Sequence, residues 1–139
     1  MKKKILIALI PIILIGTASA FYMYNKPHKK VEKLKADWEL DSEQLYAAYA
    51  EDEASADARY LGKVVEVSGV IEAIEGVHPN LSLTLSAGDE MFGVICQMDR
   101  VYAEHRSDFK VGENVTLKGY CTGYLMDVVV DRCVELGKE

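Results

Sequence analysis

Twenty uncharged residues in a row, Ile5 to Tyr24, follow Lys2-Lys3-Lys4 at the start of this 139-residue chain. A run of that length matches the roughly 20 apolar residues that a helix needs to cross a bilayer. Everything after it is therefore tethered to a membrane or sent through one. The three leading lysines favour a cytoplasmic N-terminus, although Lys26, Lys29 and Lys30 just beyond the run narrow the asymmetry on which the positive-inside rule depends. Ala18-Ser19-Ala20 fits the small-x-small pattern of a signal-peptidase site, so cleavage before Phe21 and release of a secreted domain competes with a retained anchor. Retention is favoured because the apolar run continues through Phe21, Tyr22, Met23 and Tyr24, aromatics suited to an interfacial belt. No cysteine precedes Cys96, which excludes a lipid-modified cysteine at the processing site. The expectation is a single-pass membrane protein with its domain periplasmic or extracellular, or a secreted one if the segment is cleaved.

The charge divides along the same boundary. Residues 1–30 hold six lysines and no acid, which leaves ten basic against twenty-two acidic groups in the remainder. A domain so acidic repels polyphosphate, whose binding draws on clustered Lys and Arg releasing counterions. Oligonucleotide binding therefore stands only as an alternative. The length allows one domain and no second large core.

Three stretches follow: a membrane anchor or signal segment over 1–24, a juxtamembrane linker over 25–40 in which Pro27 discourages helix, and a folded domain over 41–139. Asp41 with Gln44 forms a capping-box pattern, and Leu45, Ala48 and Tyr49 recur at helical spacing, so a helix is predicted over 42–57. From Lys63 the period changes from 3.6 to 2. Val65, Val67, Gly69 and Ile71 alternate with Glu66, Ser68 and Val70 in a first strand over 63–74. Leu81, Leu83 and Leu85 mark a second strand, and Phe92, Val94, Cys96 and Met98 the inward face of a third. A short helix is predicted over 101–109, then a fourth strand from Val115 to Thr122 and a fifth from Val128 to Val134. Three strands, a helix and two more strands after an N-terminal helix is the layout of an OB-fold, a five-stranded Greek-key barrel whose ligands lie across strands two and three. The predicted class is mainly β.

Three blocks of sequence resemble the tRNA-anti-like OB-fold family over roughly Leu45 to Val134. They are Tyr60-Leu61-Gly62-Lys63-Val64-Val65-Glu66-Val67-Ser68-Gly69, Gly112-Glu113-Asn114-Val115-Thr116-Leu117-Lys118-Gly119, and Cys121-Thr122-Gly123 followed by Asp127-Val128-Val129-Val130 and Cys133. The family contains short anchored or exported bacterial proteins. The resemblance implies a fold and little chemistry. The expected outer face of strands two and three, Ser82, Thr84, Ser86, Met91, Gly93, Ile95 and Gln97, offers no stacking aromatic and no cation for a nucleic acid.

Disulfides persist in an exported domain. Cys121 and Cys133 lie on successive strands: a hairpin centred on Asp127 sets them opposite, whereas a turn at Leu125-Met126 displaces them by two. A Cys121–Cys133 disulfide is the expectation, with a bridge from Cys96 to Cys133 and three buried reduced thiols as alternatives. No metal, cofactor or catalytic residue is expected, since no Cys-x-x-Cys occurs, His28, His78 and His105 are scattered, and His105 has no nucleophile nearby. Tyr120, Tyr124, Leu125 and Met126, around the loop joining strands four and five, form the candidate contact surface; packing against the N-terminal helix is their other reading. The expected function is a non-catalytic, membrane-anchored binding module with an envelope protein, peptide or saccharide as partner.

Overall fold

The computed structural model describes residues 2–25, 31–77, 79–100 and 108–136. Helix α1, Lys2–Asn25, is continuous, and none of its apolar window is buried among the described residues. It has the length and composition of a membrane span, and equally of a signal sequence.

The predicted capping box is present at the start of α2, Ser42–Glu51. Gln44 N donates to Asp41 Oδ1 at 2.8 Å, and Asp41 N donates back to the Gln44 side chain at 3.1 Å. The single helix predicted over 42–57 is two. Asp52 ends α2 with its N–H on Ala48 O and starts α3, Glu53–Tyr60, by accepting from Ser55 N. A carboxylate with extended backbone suits an N-cap better than a helix interior.

The barrel strands match the alternation read from sequence: β2 Val64–Val77, β3 Asn80–Ser86, β5 Asn114–Leu125 and β6 Asp127–Glu135 are slightly longer, whereas β4 Gly93–Met98 is shorter and leaves out Phe92, read as inward-facing and only partly buried. β2 is long enough to serve two partners, pairing with β5 along its first half and with β3 along its second. β3 pairs β4, β4 runs parallel to β6, and the β5–β6 hairpin closes the five-stranded barrel. Leu45 and Tyr49 of α2 plug it together with Val65, Val67, Ile71, Leu83, Leu85, Val94 and Leu117, all nearly inaccessible. Each such side chain contributes about 1.5–3 kcal/mol on leaving water.

Part of the stretch read as a linker, 25–40, belongs to the fold. A 3-10 turn, Val31–Lys33, seats Val31 at 1% exposure against Val64 and Val134. A sixth strand, β1 Trp38–Asp41, runs parallel to β2 from Trp38↔Val65 to Asp41↔Ser68. Most of its side chains are exposed, so no apolar alternation marked it. The helix predicted over 101–109 falls largely outside the described residues.

Candidate functional site: a bulged hairpin and its pocket

The β5–β6 hairpin turns on Met126, with Leu125 opposite Asp127. The register then slips twice, between Cys121 and Gly123 and between Lys118 and Tyr120. Each slip reverses which face the following side chains take. Tyr120 and Tyr124 consequently do not form an outward pair. Tyr120 joins Val31, Val64 and Val134 on the barrel's outer wall, whereas Tyr124 stacks on Tyr49 with ring centres 5.7 Å apart and meets Tyr46 edge-on. Leu125 and Met126 are left at the tip, 86% and 66% exposed. The four proposed contact residues therefore divide into two packed tyrosines and two exposed apolar ones.

The same register governs the cysteines. Cys121 faces Val130, and Cys133 lies near Gly119, so the ladder does not set Cys121 opposite Cys133. All three are buried free thiols. Cys121 Sγ lies 3.3 Å from Tyr49 Oη, and Cys133 sits beside Cys96 while bonding Val130 O at 3.4 Å. Burial pushes the Cys121 and Cys133 thiols up from their usual range and keeps them protonated. Burial, with the Cys121 contact next, also raises the Tyr49 hydroxyl.

The second slip builds a pocket. Between Val130 and Cys133 β6 advances three residues while β4 advances two, from Cys96 to Met98. The extra residue is accommodated at Arg132, whose φ of 53° is left-handed and whose N–H bonds the Asp131 carboxylate at 2.8 Å. Gly119 makes room on the other side: a Cβ there meets Asp131 O at 2.6 Å and Cys133 Sγ at 2.9 Å. Asp131 and Arg132 then form one wall of a cavity of about 390 Å³. The start of β3 supplies Asn80 and Ser82, the end of β4 supplies Gln97, and Asp99 and Arg100 lie just beyond it. Leu81 and Met98 complete the lining. Two arginines, two aspartates and amide and hydroxyl groups make it polar without a dominant charge.

The pocket lies at one end of the β3–β4 pair, the second and third barrel strands, across which OB-folds take ligands. Ser82 and Gln97 were read from the sequence as part of it. Arg100 and Arg132 were not, because one lies past the end of a strand and the other on a bulge that the simple alternation does not reveal. A second hollow, about 550 Å³, lies where α2 begins against β2; Asp41 and Glu43 line it, and no cation does. Among the described residues no group of three His, Cys, Asp or Glu side chains converges on a common point.

The tRNA_anti-like family model matches residues 1–135, taking in α1 as well as the barrel. The chain belongs to the tRNA_anti-like family. Among solved structures, a proposed nucleic acid-binding lipoprotein of Klebsiella pneumoniae is similar over 81% of this chain and 100% of its own, with a TM-score of 0.57 at 17% identity. At that identity the likeness shows the fold. A chain of the Stn1–Ten1 complex of S. pombe is similar over 54% of this chain and 59% of its own, with a TM-score of 0.39 at 19% identity. No curated protein sequence matches.

Proposed function

We propose that this tRNA_anti-like protein is a non-catalytic, membrane-anchored OB binding module, held by α1 with its domain on the extracytoplasmic side, and that it takes a peptide or saccharide segment of the envelope in the Arg132 pocket. The observation that carries the reading is the bulge at Asp131-Arg132. A left-handed backbone at a residue other than glycine costs about 1–2 kcal/mol, and bulges of this kind re-aim side chains at sites of function. Here the bulge adds a cation and a carboxylate to a rim that already carries Asn80, Ser82 and Gln97. Such a mixture hydrogen-bonds hydroxyls and amides in both directions. The absence of cysteine before Cys96 leaves α1 as the means of attachment.

The test is binding of the full chain in vesicles to soluble cell-wall saccharides and short peptides, wild type against Arg132→Ala. Loss of a charge-assisted hydrogen bond, about 1.5–3 kcal/mol, weakens binding by roughly 10- to 100-fold. Equal binding by both proteins, or by neither, discards the pocket as the ligand site.

Oligonucleotide binding is the second reading. It is favoured by the description of the Klebsiella protein and by the arginine pair, and opposed by the acidity of the domain. It predicts retention on single-stranded DNA that falls steeply as salt rises.

A further inference from the structure

The chain from Asn25, the last residue of α1, to Val31, buried on the barrel wall, contains five intervening residues. Fully extended, that stretch reaches at most about 20 Å. If α1 spans the bilayer as proposed above, the side of the domain that carries Val31 is confined to within one short tether of the lipid headgroups. What that side exposes is unlike the rest of the domain. Lys33 and Lys35 flank Leu34, which packs beside Val31 and Val64. Lys63 immediately precedes Val64, whose N–H and carbonyl are both bonded to Asp37. Trp38 follows, 41% exposed, edge-on to Tyr60 at 5.3 Å, with its indole N–H on Arg59 O at 3.0 Å. Leu61, beside them, is 48% exposed.

Four exposed cations, Lys33, Lys35, Arg59 and Lys63, thus lie on this segment and on the α3–β2 connection it pairs with, together with a half-exposed tryptophan and a leucine, against the carboxylates Asp37, Glu39 and Glu66. The domain as a whole carries more than twice as many acids as bases, so this balance is a local inversion. Cations with an amphipathic indole are the side chains that settle at a bilayer interface, the cations being drawn to anionic headgroups.

We infer that the face bearing Lys33, Lys35, Trp38, Arg59, Leu61 and Lys63 lies on the surface of the membrane that holds α1. The tether and the face then act as two attachments of one body, fixing which way the barrel points. This inference rests on the anchored reading given above.

Trp38 is the sole tryptophan and reports directly. The full chain is reconstituted into phosphatidylcholine vesicles with roughly 30% phosphatidylglycerol, with and without shallow brominated acyl chains, which quench only on contact. The expected result is loss of about a third or more of Trp38 emission to the brominated lipid. The loss is at least halved by about 0.5 M salt, and by Lys33→Glu, Lys35→Glu, Arg59→Glu and Lys63→Glu combined, with folding checked by circular dichroism. Undiminished Trp38 emission in a protein that survives carbonate washing overturns the inference and leaves the anchor standing. Release by carbonate removes the anchored reading itself, and this inference with it. Shielding of Trp38 from aqueous acrylamide without lipid quenching assigns the face to a second copy of the chain, and also overturns it. Quenching insensitive to both salt and charge reversal discards the role of the four cations.

Discussion

Among the described residues, two other than glycine adopt left-handed backbone, Met126 at φ 82° and Arg132 at φ 53°, and both belong to the same hairpin. They are six residues apart and differ in almost everything else. Met126 is the pivot of a tight turn, its side chain two-thirds exposed. Arg132 sits within a ladder bulged against both adjacent strands, with a carboxylate fastened to its N–H and a glycine cleared opposite. The tip tolerates its unfavourable conformation because the turn leaves one position for it. The bulge is constructed around its own. That contrast separates a conformational necessity from an arrangement that presents a side chain.

The sharpest way to break the comparison is to fill the space behind the bulge. Gly119→Val drives side-chain carbon into Asp131 O and Cys133 Sγ, and is expected to cost about 3 kcal/mol or more in urea unfolding. A cost below roughly 1 kcal/mol would mean that the bulge relaxes freely and holds nothing in place. Arg132→Gly separates backbone from side chain: stability is expected to hold or rise by up to about 1 kcal/mol while pocket binding falls to the level of Arg132→Ala. At the tip, Met126→Gly is expected to raise stability by about 1 kcal/mol with binding unchanged, and reduced binding would bring the tip into the site.

The smallest effect is alkaline. Cys121 and Cys133 stay protonated in the fold because burial raises them, whereas thiols of the unfolded chain ionise near pH 8.5. Above that pH the unfolded state binds fewer protons than the native one, so stability is complete below about pH 8 and declines as pH rises. Cys133→Ala and Cys121→Ala, each compared with wild type by urea unfolding across pH 7–10, are expected to flatten that decline. An unchanged slope in both would place its origin elsewhere.

The strands and the inward faces of the barrel are legible because burial on one side of a pleat forces period-two alternation, and the capping box at Asp41 because Gln44 stands three residues on. What escaped the sequence lies where that alternation is interrupted. Trp38-Glu39-Leu40-Asp41 is a strand with mostly exposed side chains, defined by backbone pairing and not by hydrophobicity. Tyr124 faces inward because a slip near Gly123, at φ 125°, shifts the phase by one residue. Arg132 reaches the pocket by the second slip. A bulge is a relation between strands, and neither strand alone records it. The helix break at Asp52 is different in kind, since an Asp three residues before a Ser N–H is a readable cap.

The parallel pairing of β1 with β2 also has a mechanical consequence. If α1 is the anchor proposed above, a pull exerted on the domain by a bound partner passes to α1 through residues 31–41, which include β1. The hydrogen bonds of a strand loaded lengthwise are sheared together and do not open one after another. Behind the buried Val31 and the Lys118 Nζ–Leu34 O bond at 2.9 Å, Asp37 is bonded to Val64 through both its main chain at 2.7 Å and its carboxylate at 3.0 Å. On the anchored reading, the short strand that contributes little to the core is the clasp by which the barrel bears load.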